Sequence, residues 1–182
     1  MSHNMRRSTQ VALGGMIAAL SLLFLLLTGV FPFATYILPA AAGILLVAVV
    51  VESGWRWALG VYAAVSLLAV FIAPDREAAV MYLGFFGFYP VLKAFLERLH
   101  SRFLEWFLKF ALFNLCMVAS YLFIIYILGL NDVLTDSTFG LYTIPVLLAA
   151  GNIAFLVYDI ALSRLVVSYV RWFRPKFLRK FH

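Results

Sequence analysis

A chain of 182 residues that is 65% hydrophobic and 12% charged, with a mean hydropathy of +1.03, has too little polar side chain to coat a water-soluble particle. Lipid is therefore the solvent for most of its surface, and a single membrane domain over residues 1–182 is the natural unit. Net charge +6 would suit nucleic acid in a soluble protein, but here the basic residues flank apolar runs, which points to anionic headgroups and away from a nucleic-acid partner.

A helix needs about twenty apolar residues to cross the hydrocarbon core, and six stretches come close. Residues 1–10 precede the first, Val11 to Val30, which opens like a signal peptide. It lacks an A-x-A-like cleavage site, so a retained first span is expected. Two stripes of small residues run along it, Gly14, Ala18 and Ser21 on one and Ala12, Gly15 and Ala19 on the other. Such stripes let another helix backbone approach closely, either within the chain's own bundle or from a partner. Leu22 to Leu27 is bulky throughout, so the patch is confined to the first half of the span.

The second and third spans are expected over Phe33 to Val51 and Trp57 to Ala73, and the connection Pro74 to Glu77 leads to a fourth over Ala78 to Leu92. Lys93 closes that run, although its stem can snorkel and carry the helix on to Glu97. Gly84 and Gly87 permit close approach, and Pro90 disturbs the helix near its end. Tyr82, Phe86 and Tyr89 share a face, which fits either an aromatic-lined pocket or ordinary core aromatics.

Leu92, Leu96, Leu99, Phe103, Trp106 and Phe110 then recur at helical spacing, with Glu97, Arg98, His100, Arg102 and Glu105 on other faces. An amphipathic helix over 93–109, lying in the interface or packed on the span ends, is expected. The fifth and sixth spans are Phe110 to Leu130 and Leu141 to Ser163, joined by Asn131 to Gly140 with Asp132 and Asp136. Asn152 near mid-span must find a hydrogen-bond partner or face a ligand cavity. Asp159, near the span's end, pairs with Lys93 or Arg164 as a structural feature, or acts as a functional carboxylate. A basic amphipathic tail, 164–182, carries Trp172, Phe173, Phe177 and Phe181 and is broken by Pro175. It fits membrane anchoring or a cytoplasmic docking surface.

Of fourteen Lys and Arg residues, only Arg76 falls outside the set that precedes span one, follows the even spans, or caps those ends. The positive-inside rule then places both termini in the cytoplasm of an all-α, six-span, multi-pass protein of the cell membrane. Cys116 is the single cysteine and sits inside an apolar run, which excludes a disulfide framework and a thiolate metal site. There is no P-loop, no H-E-x-x-H and no G-x-S-x-G, and His3, His100 and His182 are widely separated. No catalytic residue, no metal site and no cofactor is expected.

With that layout, and with Val11-Ala12-Leu13-Gly14-Gly15-Met16-Ile17-Ala18-Ala19-Leu20 in the first span, the chain resembles the substrate-binding S components of energy-coupling-factor (ECF) transporters. Met16 stands where a literal A-x-x-x-A from Ala12 would end, so Gly14/Ala18 and Gly15/Ala19 are the matching pairs. The resemblance implies a bacterial protein that captures a vitamin or other micronutrient from outside, and a transmembrane coupling subunit that meets Ala12, Gly14, Gly15, Ala18 and Ala19. It also implies two separate ATPase subunits. By position, Tyr82, Phe86, Asn131, Asp132, Asp136, Tyr142 and Asn152 are the expected small-molecule contacts. The alternative is a structural membrane protein, similar in size and helix count to the cell-shape protein MreD, with no ligand.

Overall fold

A computed structural model describes residues 7–98, 101–127 and 143–173, and over these it is all-helical. α1 (Arg7–Leu27) and α2 (Ile37–Ser53) are joined through a short 3-10 turn, Pro32–Ala34, which Pro32 can open without losing a helical hydrogen bond. Gly54 turns α2 straight into α3 (Trp55–Ile72): at φ 87° it occupies the left-handed region that favours glycine, and its N–H donates to the Val49 carbonyl.

The fourth rod, Arg76–Leu96, has membrane length but is not one regular helix. It comprises α4 (Arg76–Met81), a π-helical turn Tyr82–Phe86, and α5 (Tyr89–Leu96). Pro90 supplies the reason, because it has no N–H for the Phe86 carbonyl. The wider turn absorbs the mismatch, with the Gly87 N–H reaching back to the Tyr82 carbonyl at 2.8 Å. The Leu83 carbonyl, which a regular helix would pair with Gly87, accepts instead from the Tyr62 hydroxyl at 2.7 Å. The Phe86 carbonyl lies against Gly43 of α2, where any side chain would collide with it.

α6 (Arg102–Tyr126) and α7 (Thr143–Ser168) complete the bundle, and a second π-helical turn, Tyr169–Phe173, follows α7. The expected amphipathic segment 93–109 is divided: its first residues end α5, and Arg102 to Lys109 are the opening turns of α6. The apolar stripe read there does not stop at the interface but runs on through Phe113 and Met117 into the bundle. Residues 174–182 of the expected tail lie outside the described residues.

Polarity runs inside out. Leu67, Leu115 and Ile153 face outward at 64, 68 and 67% exposure, while Ser21, Ser66, Ser120, Lys93, Lys109 and Asp159 are buried. Among the described residues five helices are long and apolar enough to cross a membrane, and the 17-residue α2 is apolar as well. This is the architecture of a multi-pass membrane protein. All four tryptophans sit at one end of the rods: Trp55 and Trp57 open α3, Trp106 opens α6 and Trp172 follows α7.

Two cores form. One joins α1, α2 and α3 with Ala79, Tyr82 and Val91 of the fourth rod; the other joins the rest of that rod, α6 and α7, with Val47 of α2 reaching into it. α1 and α3 run parallel, since Gly14 meets Val61 near one end and Gly29 meets Pro74 near the other.

Candidate functional site

The most concentrated polar chemistry is at the tryptophan end. Asp159 of α7 is 3% exposed, Lys93 of α5 3% and Lys109 of α6 1%. One carboxylate oxygen of Asp159 accepts from the Tyr89 hydroxyl at 2.6 Å and from the Lys93 ammonium; the other accepts from Lys109 at 3.2 Å. Each lysine also holds a glutamate one turn away on its own helix, Glu97 to Lys93 and Glu105 to Lys109, both at 2.7 Å. Trp106 lies under Lys109 with the ammonium 5.2 Å from the ring centroid. Three rods are thus tied through one carboxylate whose two oxygens are both occupied. The arrangement is a clamp across the fourth rod, α6 and α7.

Deeper in, Asn114 of α6 and Asn152 of α7 exchange two amide hydrogen bonds at 2.9 and 3.0 Å. Their remaining N–H protons go to the carbonyls of Phe110 and Leu148, one turn back on each helix. Every amide proton is placed, which is what polar groups need where water is absent. Between clamp and amide pair lies an aromatic stack: Phe113 and Phe155 are 4.7 Å apart and nearly parallel, with Phe85 and Tyr89 packed on their edges.

On the other core, the small-residue stripes of α1 separate. Gly14 and Ser21 are buried; a methyl group at Gly14 would sit 3.0 Å from Val61, and the Ser21 hydroxyl donates to the Ala42 carbonyl at 3.3 Å. Ala12, Gly15 and Ala19 are exposed, and a methyl group at Gly15 would meet nothing within 4 Å. On α3 the same is true of Gly60, with Ala63 and Ala64 exposed beside it. Because α1 and α3 are parallel and touch at Gly14 and Val61, one step forward on α1 and one step back on α3 rotate to the same side, by about 100° each. Gly15 and Gly60 therefore lie on the same outward side of the pair, beside the groove between the two helices, each with open space where a side chain would be.

At the Arg76 end, Asp75 caps α4 by accepting from the N–H groups of Glu77 and Ala78 at 2.9 and 3.1 Å, and also accepts from the Thr35 hydroxyl at 2.8 Å. Glu77 accepts from Tyr36, whose hydroxyl lies 2.9 Å from that of Tyr121.

No family model, curated protein or solved structure matches this chain. Function has to be argued from the geometry.

Against that geometry the expected contact residues divide. Tyr82 is fully buried and packs with α1, α2 and α3, against Tyr62; Phe86 is half-buried between the two cores, its ring edge-on to Tyr158 of α7. Asn152 has its partner in Asn114. Asn131, Asp132, Asp136 and Tyr142 lie outside the described residues. Of the expected interface set, Gly14 is used against the chain's own α3 and Ala18 is half-buried, whereas Ala12, Gly15 and Ala19 face outward. Lys109, Asn114 and Gly60 were not anticipated. The i, i+4 pairing of Glu105 with Lys109, and an asparagine at matching depth in each of two successive spans, were the available signals. Among the described residues no group of three or more His, Cys, Asp or Glu could hold a metal ion.

Proposed function

We propose that this chain is a non-catalytic membrane subunit that receives a partner's transmembrane helix on its α1–α3 groove, and that it serves as the substrate-binding component of an ECF-type importer in a bacterial cell membrane. The observation that carries the reading is the pair of open glycines, Gly15 and Gly60, flanking the packed Gly14–Val61 contact. Small residues on a lipid-facing surface contribute little to the chain's own packing. They allow a second backbone to come close, which is how helices associate where no hydrophobic effect drives them together.

In this reading six spans leave both termini in the cytoplasm, so the groove lies in the cytoplasmic half, within reach of a coupling subunit. Cargo enters from the Arg76 end, where the connection carrying Asn131, Asp132 and Asp136 belongs. A coupling subunit and two ATPases, all separate chains, then shift the bound protein between two orientations by binding them unequally. The clamp on Asp159 supports this by letting α5, α6 and α7 move as one body.

A second reading, a structural subunit similar to the cell-shape protein MreD, is favoured by one observation: Tyr82 and Asn152 are committed to internal packing and pairing. One experiment separates the two. Gly15→Leu should leave the purified chain folded and abolish capture of the partner, since nothing in the chain occupies that space. A panel of vitamins at 100 times Kd should then raise stability by about 2.7 kcal/mol for the true cargo. Loss of capture with a hit supports the importer; loss of capture without one supports the structural subunit. Intact capture by Gly15→Leu removes the docking proposal itself.

A further inference from the structure

The Arg76 end carries a second feature, unrelated to the α1–α3 groove. A crevice of about 340 Å³ opens to the lipid between α3, the fourth rod and α6, with Val70, Val80, Leu83, Cys116 and Phe123 on its walls and Arg76 at its rim. Gly84 lies against the Ser120 hydroxyl, where a side chain would collide, and the crevice continues past this contact to Cys116, one turn further along α6. From Arg76 to Gly84 the fourth rod rises about 12 Å, so the crevice runs from the interface toward the bilayer midplane.

Arg76 is exposed and has no acidic partner among the described residues. Its two sequence neighbours are acids, yet neither turns to it. Asp75 is spent on the α4 cap and Thr35, and Glu77 on Tyr36. A guanidinium that makes no ion pair, above an apolar slot, matches one membrane component in both halves: a phosphate or phosphodiester joined to an acyl chain. Val70, Leu83 and Phe123 keep 53, 41 and 43% of their surface exposed, so the slot is open sideways and a chain can enter from the leaflet without passing through water.

We propose that this crevice is a site for an anionic phospholipid of the leaflet at the Arg76 end, its phosphate on the Arg76 guanidinium and one acyl chain between the fourth rod and α6. Cys116, the single cysteine, lies on the wall and reports occupancy directly. The full chain is purified in a neutral detergent, and alkylation of Cys116 by N-ethylmaleimide is followed by mass. Dioleoylphosphatidylglycerol should slow alkylation at about tenfold lower concentration than dioleoylphosphatidylcholine, because both carry the phosphodiester but only the second carries a trimethylammonium that cancels its charge and repels the guanidinium. Arg76→Gln should erase that difference without loss of fold, since Arg76 holds no ion pair. Ala119→Phe, at an exposed wall position, should remove protection by either lipid. Glycerol 1-phosphate, a headgroup without chains, should protect in neither protein. Equal protection by the two lipids, a preference that survives Arg76→Gln, protection by the bare headgroup, or no protection at all would each overturn the site.

Discussion

Single side chains show how strictly polar groups are accounted for in this bundle. The hydroxyls of Tyr89 and Tyr158 are both buried, but only the first has a partner: Tyr89 donates to Asp159, and the Tyr158 hydroxyl makes no hydrogen bond among the described residues. Removing an oxygen from each should have opposite consequences. Tyr89→Phe is expected to cost about 1.5–3 kcal/mol, the range for a hydrogen bond to a charged group, while Tyr158→Phe should be neutral or stabilising. Thermal unfolding in one detergent reads both, and equal losses would show that Tyr158 has a partner after all. Asp159→Asn should be harsher, about 3–5 kcal/mol, because two buried ammonium groups lose their shared counter-charge. Adding Lys93→Met to that variant should recover part of the loss, since Lys109 keeps Glu105. Half of this clamp could be read in the sequence. An acid one turn from the end of a span needs a cation, and Lys93 was one of two candidates. Lys109 was hidden because it sat at the edge of an amphipathic pattern, where a lysine ordinarily points to headgroups. Only the continuation of α6 through that pattern turns it inward.

At the scale of an element, the fourth rod carries the most information. The glycines and proline in Tyr82 to Pro90 announced an irregular helix, and the π turn is that irregularity. Its consequence was not legible, because it depends on what stands opposite. The Phe86 carbonyl freed by Pro90 needs an approach that only Gly43 allows, and the Leu83 carbonyl needs the Tyr62 hydroxyl. Gly43→Ala is therefore expected to push α2 away from the rod and to destabilise strongly, whereas Gly15→Ala, with open space around it, should change unfolding by less than about 0.5 kcal/mol. The comparison is internal: both replace glycine by alanine in a membrane helix, so equal effects would mean that propensity rather than contact governs these positions. The segment expected as one amphipathic helix over 93–109 is divided between α5 and α6 for a related reason. Periodicity identifies a helical face but not where the helix begins, and the break falls before α6, whose first residue is Arg102. Ser101 marks that start by accepting from the Leu104 N–H at 3.5 Å.

For the whole molecule, the all-helical class and the inside-out polarity were the readable features, because a lipid solvent demands long apolar helices. Pairings between helices were not readable, since any apolar face can pack on any other. The proposed orientation rests on the charges. With the tryptophan end holding every Lys and Arg of the described residues except Arg76, inserting the chain the other way would translocate the basic cluster. Two engineered cysteines decide it. Ser8 is exposed at the start of α1, and Phe33 is 83% exposed in the turn between α1 and α2, so each tolerates replacement and marks one end of the bundle. In a Cys116→Ala background, a membrane-impermeant maleimide added to intact cells should modify Phe33→Cys and spare Ser8→Cys, and both should react once the cells are permeabilised. The groove at Gly15 and Gly60 would then face the cytoplasmic half, where separate ATPases can act through a coupling helix. The reverse labelling would put the groove in the outer half, beyond the reach of any cytoplasmic motor. Uptake would be untenable, while helix docking between membrane partners would stand.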